Sequence, residues 1–260
     1  MVKKLTILIL LTLIFPTKIL LAQEKDEDIF LSEDFFTAPS QKNNSHKIND
    51  PFEKTNRKIF AFNETVDIYL FRPVAKTYKK ILPSKIKSSI RNFSTNIAQP
   101  VTIVNSLLQG KFNNALKSSS SFLINTTIGI GGIINFASKK NITPNKEDFG
   151  QTLASYNIKN GPYLVIPFFG PSTLRDASGL LIDNSLDPTS LNLLKVGGKR
   201  NLTNGNLRLT HRSLSAIDSR SQLIEIIDDL RETSFDFYTT AKSSYIQNRN
   251  NKINQWKNYF

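Results

Sequence analysis

The chain has 260 residues, no cysteine, two histidines, and 34 lysines and arginines against 21 acids, a formal charge of +13. The absence of cysteine excludes a disulfide framework, a thiolate metal site and a cysteine nucleophile, and two histidines leave little for imidazole ligation or acid–base work. So strong a positive charge points to phosphate, on nucleic acid or anionic lipid, and the length suffices for one large domain or two small ones with a real core.

Lys3 and Lys4 precede an apolar run over residues 5–15, and a short tail ends at Leu20-Leu21-Ala22. That is the order of a secretory signal peptide. Residues 1–22 are expected to be one, cleaved after Ala22 or retained as an anchor. Cleavage removes Lys3, Lys4 and Lys18 and leaves a charge of +10. An exported basic protein meets membrane surfaces rather than chromosomes, so no nucleic-acid partner is expected. Residues 23–49 read as a linker. Glu24, Asp26, Glu27, Asp28, Glu33 and Asp34 form an acidic run, and the stretch around His46 is polar without period, too poor in apolar surface to order itself.

The folded body is predicted to start at Asp50-Pro51-Phe52-Glu53, with Asp50 as helix cap, Pro51 at the first helical position and Glu53 completing a capping box. Phe52, Asn56, Ile59, Asn63, Val66 and Leu70 then recur at spacings of three and four, one helical face. Asn56 and Asn63 on that stripe either hydrogen-bond across helices or face a wet cavity, because an unpaired buried amide costs about 1–3 kcal/mol. Arg72-Pro73 is expected to break the chain. Val74, Tyr78, Ile81 and Leu82 give a short helix, and Pro83 opens another with Ile86, Ile90 and Phe93 on one face. Lys76, Lys79, Lys80, Lys85, Lys87 and Arg91 between them are either a solvated side or a patch facing lipid headgroups, where each basic residue adds about 1 kcal/mol. Pro100 is expected to open a third short helix, over 101–109, closed by Gly110.

Residues 122–136, FLINTTIGIGGIINF, are uncharged and apolar. They are too short to span a bilayer, which needs about 20 residues. Gly129-Ile130-Gly131-Gly132 tells against one rigid helix, since each interior glycine costs about 1 kcal/mol. The stretch reads as a bent hairpin, dipping partway into lipid or buried in a core. A loop and short helix follow over 145–156. Three prolines in 161–171 require an extended, apolar, packed segment, and Pro171 is expected to restart a helix carrying Arg175 and Asp176. Residues 196–205 read as a Gly/Asn loop. Helices are predicted near 221–231 and 235–248, before a polar tail. The chain is thus read as nearly all-α, many short helices in one domain at 50–249, with a C-terminal tail at 250–260.

Catalytic motifs are lacking. No Walker-type phosphate loop and no histidine pair at metal spacing occur. A Ser–His–Asp set could form only around His211, with no GxSxG motif. His211, next to Arg208 and Arg212, reads as a surface residue of a basic patch. No catalytic residue, metal or cofactor is expected.

The sequence does resemble a known family. Asp50-Pro51-Phe52-Glu53 with Asn56-Arg57, Phe60, Phe62 and Asn63 is similar to the opening motif of the MlaA/VacJ family. So are Arg72-Pro73-Val74-Ala75, the Gly129–Gly132 bend, DFGQTL at 148–153 and GPYLVIPFFGPSTLRD at 161–176, in order along residues 50–249. The resemblance implies a helical ring set in one leaflet of the outer membrane around a central amphipathic channel. It implies association with trimeric porins, hand-over of lipid to a periplasmic carrier, removal of phospholipid mislocalised to the outer leaflet, and no enzymatic activity. The lipobox cysteine usual in the family is missing, so attachment is expected through embedded apolar surface or an uncleaved signal.

On this reading Gly129, Gly131 and Gly132 are a candidate channel hinge. Asn56, Phe60, Phe62, Asn63, Phe168, Gly170, Pro171, Arg175 and Asp176 are a lipid-channel or signature face, with Arg175 and Asp176 more simply an intramolecular clamp. Lys76, Lys79, Lys80, Lys85 and Lys87 are a candidate headgroup patch. The rival readings are a structural protein that braces porins and a phospholipid hydrolase.

Overall fold

A computed structural model describes residues 50–188 and 203–257. The signal peptide, the linker, residues 196–202 of the predicted loop and the last three residues lie outside the described residues. The first helix, α1 (Glu53–Val66), continues through a π-helical segment, Asp67–Phe71, into α2 (Arg72–Ile81). The expected break at Arg72-Pro73 is therefore absent. The Arg72 N–H donates to the Asp67 carbonyl five residues back, so the helix widens at the proline, which has no N–H to give, instead of ending there. The expected cap is also different. Phe52 occupies the cap position without a side-chain bond, and Asp50 is turned inward to Asn56, Tyr238 and Lys242.

After Pro83 a single helix, α3 (Ser84–Leu108), carries Pro100 in its interior. The predicted separate helix at 101–109 is thus part of α3; its inner face is held from both sides by α4 and by later helices, which outweighs the one backbone bond a proline removes. Gly110 closes it with φ +73. The return helix α4 (Phe112–Thr127) runs antiparallel to α3, with Asn114 bonded to Ser106 at one end and Asn96 to Thr126 at the other. A tight turn over 128–135 leads to α5 (Phe136–Lys139), which Asn135 caps by accepting from the Ser138 N–H. Then α6 (Phe149–Ser155) is capped by Asp148, which accepts from the Gln151 N–H.

The proline-rich segment is extended, as its composition requires. It forms an antiparallel two-stranded hairpin, β1 (Tyr163–Ile166) and β2 (Gly170–Thr173), in the register Tyr163↔Thr173 to Ile166↔Gly170. Pro171 lies in β2 instead of opening a helix; α7 (Leu174–Leu186) starts three residues later, with Thr173 as its cap. The remaining helices are α8 (Thr203–Gln222), α9 (Ile224–Thr233) and α10 (Phe237–Lys257), the last longer than the predicted 235–248. The all-α class holds, with this one hairpin set among helices. A small aromatic core of Tyr163, Val165 and Tyr238, joined by Ile59, Phe60, Tyr245 and Ile246, sits where α1, β1 and α10 meet.

Candidate functional site

The α3–α4 hairpin is packed inside out. Its buried side chains are Asn96, Gln99, Thr102, Asn105 and Ser106 on α3, and Ala115, Ser118, Ser121 and Asn125 on α4. They recur every three or four residues, with Asn105 and Ser106 side by side, so each set lies on one helical face, and apart from Ala115 that face is polar. The outward faces carry Val104, Leu107 and Leu108 on α3 and Phe112, Leu116 and Leu123 on α4, with Leu116 67% exposed. Among the described residues, buried polar side chains outnumber buried apolar ones. The interior amides are tied together: Asn105 donates to Asp183 at 2.8 Å and accepts from the Thr152 hydroxyl at 2.7 Å, and Gln109 reaches Thr152 at 3.1 Å. α6 and α7 are thereby bonded to the hairpin through polar groups. Burial raises the Asp183 carboxyl despite the Phe149 N–H and Asn105 bonds it accepts.

The glycines called a hinge lie in the turn after α4. A Cβ on Gly129 would sit 2.2 Å from the Ile134 carbonyl oxygen and 2.4 Å from that of Asn125; on Gly132 it would meet Asn96 Cβ at 2.4 Å. Gly131 has open space but φ +69, and Gly132 has φ +94. Between Gly129 and Gly131, Ile130 adopts φ +54, a true outlier for a β-branched residue, with a cost on the order of 1–3 kcal/mol. Ile128 and Ile130 point outward and are exposed.

Asn56 and Asn63 bond to β1 across more than a hundred residues. Asn56 is buried; its amide donates to the Tyr163 carbonyl at 3.0 Å and accepts from the Val165 N–H at 2.9 Å. Asn63 donates to the Ile166 carbonyl at 3.0 Å and accepts from the Phe168 N–H at 2.8 Å. The seven-residue interval is two helical turns, about 10.5 Å, which matches three residues of strand, about 10 Å. α1 thus presents two amides at strand spacing and completes the open edge of the hairpin. Phe60 packs in the core, 5.5 Å from the Tyr238 ring, whereas Phe62 is exposed and edge-on to Phe168 at 5.4 Å. Phe168 (φ +66) and Gly170 (φ +82) shape the hairpin tip, and Pro171 faces Val165 across it.

The predicted charges fall in two settings. Arg175 bonds the Asp176 carboxylate at 3.0 Å and the Ile158 carbonyl. A partner not singled out from sequence, Arg249 of α10, bonds both Asp148 oxygens at 2.6 Å and Asp176 at 3.0 Å. Burial alone would raise the Asp148 carboxyl, but the Arg249 bonds outweigh it and hold the group at about 2. Of the lysine patch, Lys79 pairs with Glu225 at 2.6 Å and Lys76 lies 3.9 Å from Asp228. Lys80 and Lys85 are exposed, and Lys87 is half-buried with its ammonium on the Lys79 carbonyl. His211 is not the surface residue expected. It is half-buried, edge-on to Phe93 at 5.8 Å, and burial lowers its pKa.

Among the described residues no cluster of three or more His, Asp or Glu could hold a metal ion, and no helix is long and apolar enough to cross a membrane. A family model described as MlaA lipoprotein matches residues 48–252. The chain belongs to the MlaA lipoprotein family. A protein of Rickettsia bellii is 34% identical over 234 residues, 90% of this chain and 87% of its own length. The Haemophilus influenzae intermembrane phospholipid transport system lipoprotein MlaA is 32% identical over 212 residues, 80% of this chain and 81% of its own. A solved structure from "Structural basis for maintenance of bacterial outer membrane lipid asymmetry" aligns with a TM-score of 0.65 at 31% identity, over 76% of this chain and 96% of that one. The stretch matched to MlaA contains the inverted hairpin, the glycine turn, both α1 asparagines and the Arg249 cluster.

Proposed function

We propose that this MlaA-family chain moves phospholipid at the outer membrane without catalysing a reaction. It takes phospholipid that has strayed into the outer leaflet and passes it to a periplasmic carrier, while held beside a trimeric porin. The body sits half-immersed in one leaflet as a helical ring, with an amphipathic passage for the lipid. The observation that carries this reading is the inverted α3–α4 hairpin. In water, each exposed apolar area costs about 25 cal/mol per Å²; among acyl chains that cost vanishes, and polar side chains must then pair inside the protein. The Haemophilus influenzae relative is named for intermembrane phospholipid transport, which supports the transport reading.

The named residues take roles on this reading. Gly129, Gly131 and Gly132 let the turn shape the passage. The exposed rings of Phe62 and Phe168 meet acyl chains. Lys76, Lys79, Lys80, Lys85 and Lys87 face headgroups, where cations near an anionic surface gain about 1 kcal/mol each.

The test is mass spectrometry of lipid co-purifying with the protein in mild detergent, together with outer-leaflet phospholipid in a deletion strain. Bound phospholipid and a raised outer-leaflet level are expected. A lipid-free protein whose loss leaves the outer leaflet unchanged, with porin still bound, would replace transport with a porin-bracing role. Fatty acid released from phospholipid by the pure protein would overturn the non-enzymatic reading.

A further inference from the structure

The turn between α4 and α5 places three successive residues in the left-handed region, Ile130, Gly131 and Gly132. Glycine enters that region freely and isoleucine does not. The exposed side chains of Ile128 and Ile130 do not pack the turn down. What holds it is polar. Backbone N–H groups of Gly131 and Gly132 donate back to Thr126 and Asn125, and that of Ile134 to Gly129. The remaining grip comes from α3, from two asparagines one helical turn apart. Asn92 donates to the Ile133 carbonyl at 3.3 Å. Asn96 donates to the Thr126 hydroxyl at 2.9 Å and to the Gly131 carbonyl at 3.5 Å, with Gly132 seated against its Cβ.

We propose that Asn92 and Asn96 form a latch that holds the 128–134 turn in its strained shape, and that opening this latch changes how readily phospholipid passes. The second half rests on the transport reading; the first does not. The two carbonyl bonds are longer than the usual range of about 2.7–3.2 Å, so the hold on the turn itself is weak enough to open reversibly, while the Thr126 bond keeps Asn96 on α4. Asn96 is only 4% exposed, and its Oδ1 has no partner. The grip of Asn96 is therefore its NH2 group alone, through the bonds to Thr126 and Gly131, with nothing holding the amide from its oxygen side. Release lets Ile130 relax to an ordinary backbone conformation, which moves the exposed Ile128–Ile130 edge relative to α3. α3 supplies the polar inner face of the hairpin, so the latch joins the turn to the interior that the transport reading uses.

The test compares full-length wild type with Asn92→Ala/Asn96→Ala. Alanine keeps both α3 and the Cβ on which Gly132 rests. Amide hydrogen exchange of Gly131, Gly132 and Ile134 should quicken roughly tenfold or more while the α6 amides keep their wild-type rates, and outer-leaflet phospholipid should shift at normal protein abundance. Unchanged exchange in the turn overturns the latch. Faster exchange with an unaltered outer leaflet overturns its link to transport. An outer leaflet unchanged even in the deletion strain fails the transport reading itself, and the exchange rates still decide the latch. Ile130→Gly, which removes the strain, should bring exchange in the double variant back toward wild type; failure to do so counts against strain as the stored element. Asn92→Ala alone, at a half-buried position, keeps the test open should the double variant not accumulate.

Discussion

Asn63 accepts a hydrogen bond from the Phe168 N–H at 2.8 Å and so pins an exposed aromatic residue in a left-handed conformation. Seven residues earlier Asn56 bonds the extended backbone of Val165 and Tyr163 in a buried setting. Asn56→Ala strands two buried backbone groups and should cost about 3 kcal/mol; Asn63→Ala frees groups that water can reach and should cost about 1 kcal/mol. Denaturant unfolding of the two variants checks the order. Asn63→Asp keeps the acceptor for Phe168 but sets a carboxylate against the Ile166 carbonyl, and should be less stable than Asn63→Ala.

The glycines of the turn should separate by substitution. Gly131→Ala meets open space and carries only the backbone cost, about 1 kcal/mol. Gly132→Ala adds a collision with Asn96 Cβ at 2.4 Å. Outer-leaflet phospholipid, measured at matched abundance, should change more in the Gly132 variant. Equal effects would argue that torsion alone matters at this turn.

Arg249 fastens α10 to the cap of α6 and to the first turn of α7. Arg249→Ala leaves Asp148 without its cation and Asp176 with the Arg175 cation alone, and a broken buried pair costs about 3–5 kcal/mol. The pH dependence has a definite sign. Asp148 is held at about 2 in the folded chain, below its unfolded value of about 3.9. Its contribution is present above pH of about 4 and is lost as pH falls toward about 2. Acid titration of stability should show that slope in wild type and a weaker one in Arg249→Ala.

The outward leucines of α4 should matter for the membrane and not for the fold. Leu116→Asp and Leu123→Asp should change stability in detergent-free buffer by about 0.5 kcal/mol or less. A charge placed in hydrocarbon costs about 2.5–3.5 kcal/mol, so binding to phospholipid vesicles should drop by roughly a hundredfold per site if these residues are immersed. Co-sedimentation measures it, and unchanged binding would place this face outside the lipid.

Much of the helical layout is legible in the sequence, because periodic faces such as Asn56, Ile59 and Asn63 name the side that packs. The proline breaks are not. Pro73 is absorbed by one π-helical turn and Pro100 by tertiary packing, and neither device leaves a local mark. The partners of Asn56, Asn63 and Asp148 lie about a hundred residues away, so spacing shows that they need partners without naming them. The polar stripe from Asn96 to Ser106 is visible as a period, but a rule that sends polar residues to water assigns it to the wrong side. Asn92 sits beside that stripe, and only its bond to the Ile133 carbonyl shows what it grips.

The inverted hairpin also sets a problem for the newly made chain. In water, collapse gathers Phe112, Leu116, Leu123 and their neighbours toward one another, which is the reverse of where they finish. On the proposed placement in a leaflet, the route from synthesis to the lipid surface leaves these faces in water, where exposed apolar surface promotes aggregation. A holding chaperone or a prompt hand-off at that stage answers a hazard written into the same oily stripe that later serves the mature molecule.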